Sequence, residues 1–141
     1  PRTLMSIPGL PPATGLVCYE VLFPNEVVQS AGRPGVLLNV TNDGWFGNTS
    51  GPRQHFHQTR VRAVELGVPV LRAANNGISG AIDANGRVLA VLWMNERGAV
   101  DTALPGVTAP PPYARYGDWI FVLLLTAAGA MAFRVRLSKP R

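Results

Sequence analysis

The sequence predicts an α/β sandwich. Short apolar or β-branched runs at 16–22, 35–41 and 68–74 read as strands, and a helical pattern over 52–66 separates the second from the third. A pair of further strand-like runs, 78–83 and 87–93, is joined by Ala84-Asn85-Gly86, a hairpin signal. Strands separated by a long helix and followed by a hairpin exclude an all-β or helical-bundle architecture. Only part of such a sheet is expected within this chain.

Each element has a local reason. Pro8, Gly9, Pro11, Pro12 and Gly15 make residues 1–15 a loop that feeds the first strand, 16–22. Residues 24–31 suit a short helix, with Asn25 as cap and Glu26 in the first turn. The run 35–41, Gly-Val-Leu-Leu-Asn-Val-Thr, is nearly continuously apolar, the signature of a strand buried on both faces. Residues 42–52 form a glycine-rich loop carrying Trp45 and Phe46. The helix that follows starts at Pro52, shows Phe56, Thr59, Ala63 and Leu66 along one face, and stops at Gly67. Residues 98–112, rich in Pro, Ala and Thr, read as a linker.

Composition narrows the function classes. A hydrophobic fraction of 47% against 15% charged residues points to a folded chain and leaves room for membrane contact. The net charge of +5 is not a nucleic-acid signal, because Arg134, Arg136, Lys139 and Arg141 supply the excess and residues 1–133 carry nine bases against eight acids. One cysteine and two histidines, His55 and His57, fall short of the ligand set of a structural zinc site, and no metal is expected.

The basic tail follows an uncharged run, 119–133, which as a helix spans roughly 22 Å. Tyr113, Tyr116 and Trp119 can sit at a bilayer interface, and Arg134 and Arg136 can snorkel. A buried core helix would have similar length, but Phe121 and Leu123 to Leu125 leave no polar face. The expectation is a transmembrane helix with its aromatic approach over 113–135 and a cytoplasmic basic tail over 136–141, after a folded domain segment over 1–112. The positive end then lies in the cytoplasm and the domain on the opposite side.

Cys18 ends the first strand signal and is followed by Tyr19, Glu20 and a Phe23-Pro24 stop. A thiol where a strand bends is presented as a nucleophile; the alternative is a small buried hydrophobe. The backbone N–H of Tyr19 follows directly, where an oxyanion donor commonly sits. Glu20 is two residues on and faces the same side if the strand continues, as a base, an orienting acid or a surface acid. His55 and His57 are further candidate bases, although their helix and polar surroundings suit a surface or structural role. Trp45 and Phe46 either shape an apolar substrate site or pack a core, and Asn42 either bonds near the reacting group or caps a turn.

The segment Cys18-Tyr19-Glu20-x-x-Phe23-Pro24 resembles the nucleophile segment of the nitrilase superfamily, whose members use a Glu-Lys-Cys triad. Asn42-Asp43-Gly44-Trp45-Phe46-Gly47, Gly51-Pro52-x-Gln54-His55-Phe56, Arg60-x-Arg62-Ala63-x-Glu65 and Arg72-x-x-Asn75-Asn76-Gly77 narrow the resemblance to the apolipoprotein N-acyltransferase family. Pro111-x-Tyr113-Ala114-Arg115-x-Gly117-Asp118-Trp119 fits that family's approach to a last membrane helix. The resemblance implies the C-terminal part of a nitrilase-like α/β sandwich in the bacterial inner membrane, with its catalytic domain periplasmic. It implies acyl transfer from a phospholipid donor, through a Cys18 thioester, to the N-terminal amine of an apolipoprotein, without a cofactor. Cys18 would be the nucleophile, Tyr19 the oxyanion donor and Glu20 a supporting acid, with Asn42, Trp45 and Phe46 binding substrate.

The family's general-base Glu and its Lys precede the cysteine segment, whereas the seventeen residues before Cys18 contain neither and the one lysine is Lys139. An ordinary thiol, with a pKa of about 8.5, is only a few per cent thiolate at pH 7 and needs a base. The expectation is therefore a fragment, inactive alone. Competing readings are an amidase acting on small amides and a non-catalytic membrane-anchored module.

Overall fold

A computed structural model describes residues 3–27 and 32–138. Five strands form one sheet in the order β1 (Ala13–Val17), β2 (Val36–Asn42), β3 (Val70–Asn75), β4 (Ser79–Ile82) and β5 (Val88–Leu92). The first three are parallel, and β4 and β5 run antiparallel to their neighbours. Short helices α1 (Pro24–Val27) and α3 (Pro112–Tyr116) flank the long α2 (Gly51–Leu66), and α4 (Trp119–Ser138) closes the chain.

The parallel pair β2–β3 needs a crossover, and α2 supplies it. Pro52 sits in the first turn, where its missing N–H leaves no helical bond unmade. Phe56, Thr59, Ala63 and Leu66 are buried against the sheet, as their spacing predicts. Gly67 ends the helix at φ +63°, a left-handed conformation a side chain resists, and its N–H reaches the Ala63 carbonyl. The core packs Leu16, Leu37, Phe56, Val70, Ile78 and Ile82 together, each such side chain contributing about 1.5–3 kcal/mol of burial. Asp83 shapes the β4–β5 turn, its Oδ1 accepting the N–H of Asn85 at 2.9 Å and of Arg87 at 2.8 Å.

Three expectations change. The strand expected over 16–22 instead runs over Ala13–Val17, its first three residues taken from the expected loop because they pair with Val36, Leu37 and Leu38, and Cys18–Leu22 is a 3-10 helix. The Glu20 carboxylate accepts the Val17 N–H at 2.7 Å, which turns the chain back on itself, so Glu20 and Cys18 do not share a strand face. The second strand is not buried on both faces: Leu37 and Asn39 are covered, while Val40 on the other face is 52% exposed. The glycine-rich loop contains a turn of 3-10 helix, Asp43–Phe46, capped by Asn42 Oδ1 accepting the Gly44 N–H at 3.0 Å. The expected cap by the Asn25 side chain, the continuation of α1 over 28–31 and the end of the basic tail lie outside the described residues.

The linker has no regular structure but is pinned midway. Thr108 N–H donates to the Gly67 carbonyl at 3.0 Å, and Arg33 bridges the carbonyls of Leu66, Gly67 and Thr108 at 2.8 Å each. Beyond it, every described side chain of α4 from Trp119 to Arg134 is exposed. Among the described residues, no helix is long and apolar enough to cross a membrane.

Candidate active site

Cys18 stands where β1 ends, with φ +51°. An L-residue held there carries a steric cost of about 1–2 kcal/mol, so the surroundings must over-determine it. They do so through its carbonyl. Asn39 Nδ2 donates to the Cys18 oxygen at 3.4 Å and to the Leu16 oxygen at 3.1 Å, and His55 Nε2 lies 3.2 Å from the Cys18 oxygen. A carbonyl can only accept, so Nε2 carries the hydrogen in that bond. The thiol is free and partly exposed.

Behind the turn lies a buried polar cluster drawn from four elements. Arg72 of β3 donates through Nη2 to Asp43 Oδ2 at 2.7 Å, through Nη1 to Asn39 Oδ1 and Thr59 Oγ1, and through Nε to the Ile78 carbonyl. Asp43 Oδ1 meets His55 Nδ1 at 2.9 Å and accepts from Thr41 Oγ1 at 3.1 Å. Thr59 Oγ1 donates in turn to the His55 carbonyl at 3.0 Å. Gly77 is required beside this cluster, because a Cβ there would enter the Asp43 carboxylate. The parallel register sets Asn39 beside Arg72, so two polar side chains buried in adjacent strands satisfy one another.

Burial works against charge on Asp43, but the hydrogen bond from His55 and the Arg72 guanidinium more than offset it, and its pKa falls below the usual carboxylate range. Burial likewise draws Arg72 down from its ordinary value, against the opposing pull of Asp43. The cluster is therefore a paired ionic core.

The aromatic residues form the outer layer. Tyr19, 43% exposed, stacks on the His55 ring with centroids 4.9 Å apart and meets Phe46 edge-on at 5.7 Å. Trp45 on the same turn is 84% exposed. An open cavity of 570 Å³ lies alongside, lined by Tyr19, Leu22, Arg53, Gln54 and His57 among others. Asn42 caps its own turn and accepts from Asn75 Nδ2 at 3.3 Å. The structure thus brings Cys18, Tyr19 and Phe46 together, while Glu20 braces the turn through Val17. His55 lies deep in the fold and not on the surface, bonded to Asp43 and to the Cys18 carbonyl.

Asn39, Thr59 and Arg72 escaped the reading of site residues. A signal existed: Asn39 and Arg72 interrupt apolar strands, and a buried polar side chain demands a partner. Among the described residues, no group of three or more His, Cys, Asp or Glu could hold a metal ion.

A cysteine on a strained turn at the end of a parallel strand, over a buried ionic cluster, defines an α/β protein built around a partly exposed thiol. The family model for carbon-nitrogen hydrolase matches residues 6–109, and the chain belongs to that family. It is 46% identical over 138 residues to the apolipoprotein N-acyltransferase of Bradyrhizobium diazoefficiens, covering 98% of this chain and 26% of that protein. It is 53% identical over 135 residues to the apolipoprotein N-acyltransferase of Sinorhizobium medicae, covering 93% and 25%. The chain thus spans about a quarter of the length of these curated relatives. Among solved structures it is similar to an amidase variant from Nesterenkonia sp. AN1 that carries acrylamide added to its active-site cysteine. That match has a TM-score of 0.56 and 25% identity, over 89% of this chain and 49% of that one. A carbon-nitrogen hydrolase from Helicobacter pylori, 16% identical over 68% of this chain and 41% of its own, shares the fold with a TM-score of 0.56.

Proposed function

We propose that this chain carries the nucleophile segment of an apolipoprotein N-acyltransferase. The observation that carries the reading is the left-handed Cys18 at the end of β1, followed directly by the Tyr19 N–H. The Cys18 thiolate attacks the ester carbonyl of a phospholipid acyl chain; a C–S bond forms, the ester C–O bond breaks, and the lysophospholipid oxygen takes up a proton. The free α-amine of the N-terminal diacylglyceryl-cysteine of an apolipoprotein then attacks the thioester. A C–N bond forms, the C–S bond breaks, and the amine's proton is released as the thiolate is regenerated. A thioester is a good acyl donor, and an α-amine with a pKa of about 8 is appreciably neutral near pH 7.

Tyr19 N–H stabilises the oxyanion, and Glu20 supports the turn that presents both. Trp45, Phe46 and Asn42, on the turn beside Tyr19, receive the acyl chain and the linkage next to it; the exposure of Trp45 suits a lipid ligand better than a core. The general base and the oxyanion-binding lysine come from outside the chain, and turnover belongs to the full-length gene product. Helix α4 attaches the domain to the inner membrane: its described apolar side chains from Trp119 to Phe133 are all exposed, and the bases Arg134 and Arg136 that follow suit a headgroup boundary.

The test supplies the full-length gene product with phospholipid and a diacylated lipopeptide and follows the triacylated product by mass spectrometry. Cys18→Ala and Cys18→Ser abolish transfer, because a hydroxyl is far less nucleophilic near neutral pH. Wild-type transfer by Cys18→Ala would reject the nucleophile. Hydrolysis of short amides without transfer would place the protein with the amidases.

A further inference from the structure

We infer that His55 is a positioning residue which, together with Asn39, aims the Tyr19 N–H at the oxyanion by holding the carbonyl of Cys18. The inference rests on the acyl-transfer reading above and adds to it the device that sets the donor's direction.

Cys18 and Tyr19 share one peptide unit, which carries both the gripped oxygen and the donor N–H. No cis peptide bond occurs among the described residues, so in this unit the C=O of Cys18 and the N–H of Tyr19 point in opposite directions. Whatever grips the oxygen from one side aims the hydrogen toward the other. The oxygen is gripped from the protein interior, by His55 Nε2 at 3.2 Å and Asn39 Nδ2 at 3.4 Å. Both grips come from side chains that are themselves immobilised. His55 is 3% exposed, tied through Nδ1 to Asp43 and packed under the Tyr19 ring; Asn39 is fully buried and tied through Oδ1 to Arg72.

Two consequences follow. A left-handed residue without support has other backbone states available, and each would rotate the peptide plane and the N–H with it. Anchoring the oxygen removes that freedom before substrate arrives, and an oxyanion donor acts through such preorganisation. Hydrogen bonds to the oxygen also polarise the amide, which strengthens its N–H as a donor. The arrangement explains why an imidazole so close to the thiol's own residue faces the backbone: it acts on the reaction through the peptide plane.

Two substitutions separate this role from ordinary structural support. Both Asn and Gln are smaller than imidazole and lose its stacking on Tyr19. Asn places its amide where Nδ1 was and keeps the bond to Asp43; Gln places its amide where Nε2 was and keeps the bond to the Cys18 oxygen. In the full-length gene product, the Cys18 thioester is quantified by rapid quench and mass spectrometry over a phospholipid concentration series. His55→Asn lowers the maximal acylation rate by roughly 10–100-fold, less than the ~100–1000-fold that outright loss of an oxyanion donor costs because the Tyr19 N–H is misaimed and not removed, and leaves the half-saturating lipid concentration within about twofold. His55→Gln recovers most of that rate. Equal rates for the two variants, or a loss expressed in lipid affinity, would overturn the inference. If the wild type forms no thioester at all, it is the acyl-transfer reading that fails.

Discussion

The guanidinium of Arg72 meets the carboxylate of Asp43 at 2.7 Å, with both side chains sealed from solvent. One comes from β3 and the other from the turn after β2, so the pair ties the end of the sheet to the turn bearing Trp45 and Phe46. Through His55 and Asn39 the same pair reaches the carbonyl of Cys18. Removing either partner leaves a buried charge without its counterion. Asp43→Ala or Arg72→Ala alone should therefore destabilise the protein by about 3–5 kcal/mol. The double substitution should cost at least ~1 kcal/mol less than the sum of the two. Thermal unfolding of the full-length protein in detergent measures this, and additive losses would show that the two charges do not depend on each other.

Acid should find the same pair. The Asp43 pKa is lower in the folded protein than the ordinary carboxylate value of about 3.9. The unfolded chain therefore takes up its proton at higher pH than the folded one, and the contribution of Asp43 to stability is complete above pH ~4 and is lost as pH falls through the folded value. Asp43→Asn should give a protein that is less stable at neutral pH and loses less on going from pH 5 to pH 2. Parallel acid limbs for wild type and variant would contradict the assignment.

The backbone at Cys18 predicts a contrast between two inactive variants. Cys18→Ala and Cys18→Gly both remove the thiol, but only glycine is at ease at φ +51°. Glycine's greater entropy in the unfolded chain takes back part of the gain, leaving Cys18→Gly about 0.5–1 kcal/mol more stable than Cys18→Ala. Equal melting temperatures would mean that the turn holds no strain.

For α4, the exposed apolar surface from Ile120 to Phe133 and the bases that follow predict a membrane helix with a cytoplasmic C-terminus. A reporter active only in the cytoplasm, fused after Arg141, should give signal, and one active only in the periplasm should be silent. The reverse pattern, or extraction of the protein from membranes by alkaline carbonate, would remove the anchor.

Sequence alone determined those features that one stretch of chain settles by itself. The face of α2 through Phe56, Thr59, Ala63 and Leu66 follows from its period, its stop from Gly67, and the β4–β5 hairpin from a turn centred on Asn85 and Gly86. Each is a contest among local alternatives, decided by backbone freedom and the spacing of apolar side chains. Cys18 was legible in part: its flanks marked a bend, but not that extended structure ends at Val17 or that Glu20 folds back to hold the turn. Tertiary structure alone decided the rest. Asn39 and Arg72 announced in sequence that each needed a partner, but which partner depended on strand register, on the rotation of α2 that turns His55 inward, and on the turn that buries Asp43. A buried polar group states its demand locally; what meets that demand is set by segments distant in the chain and brought together only when the core closes.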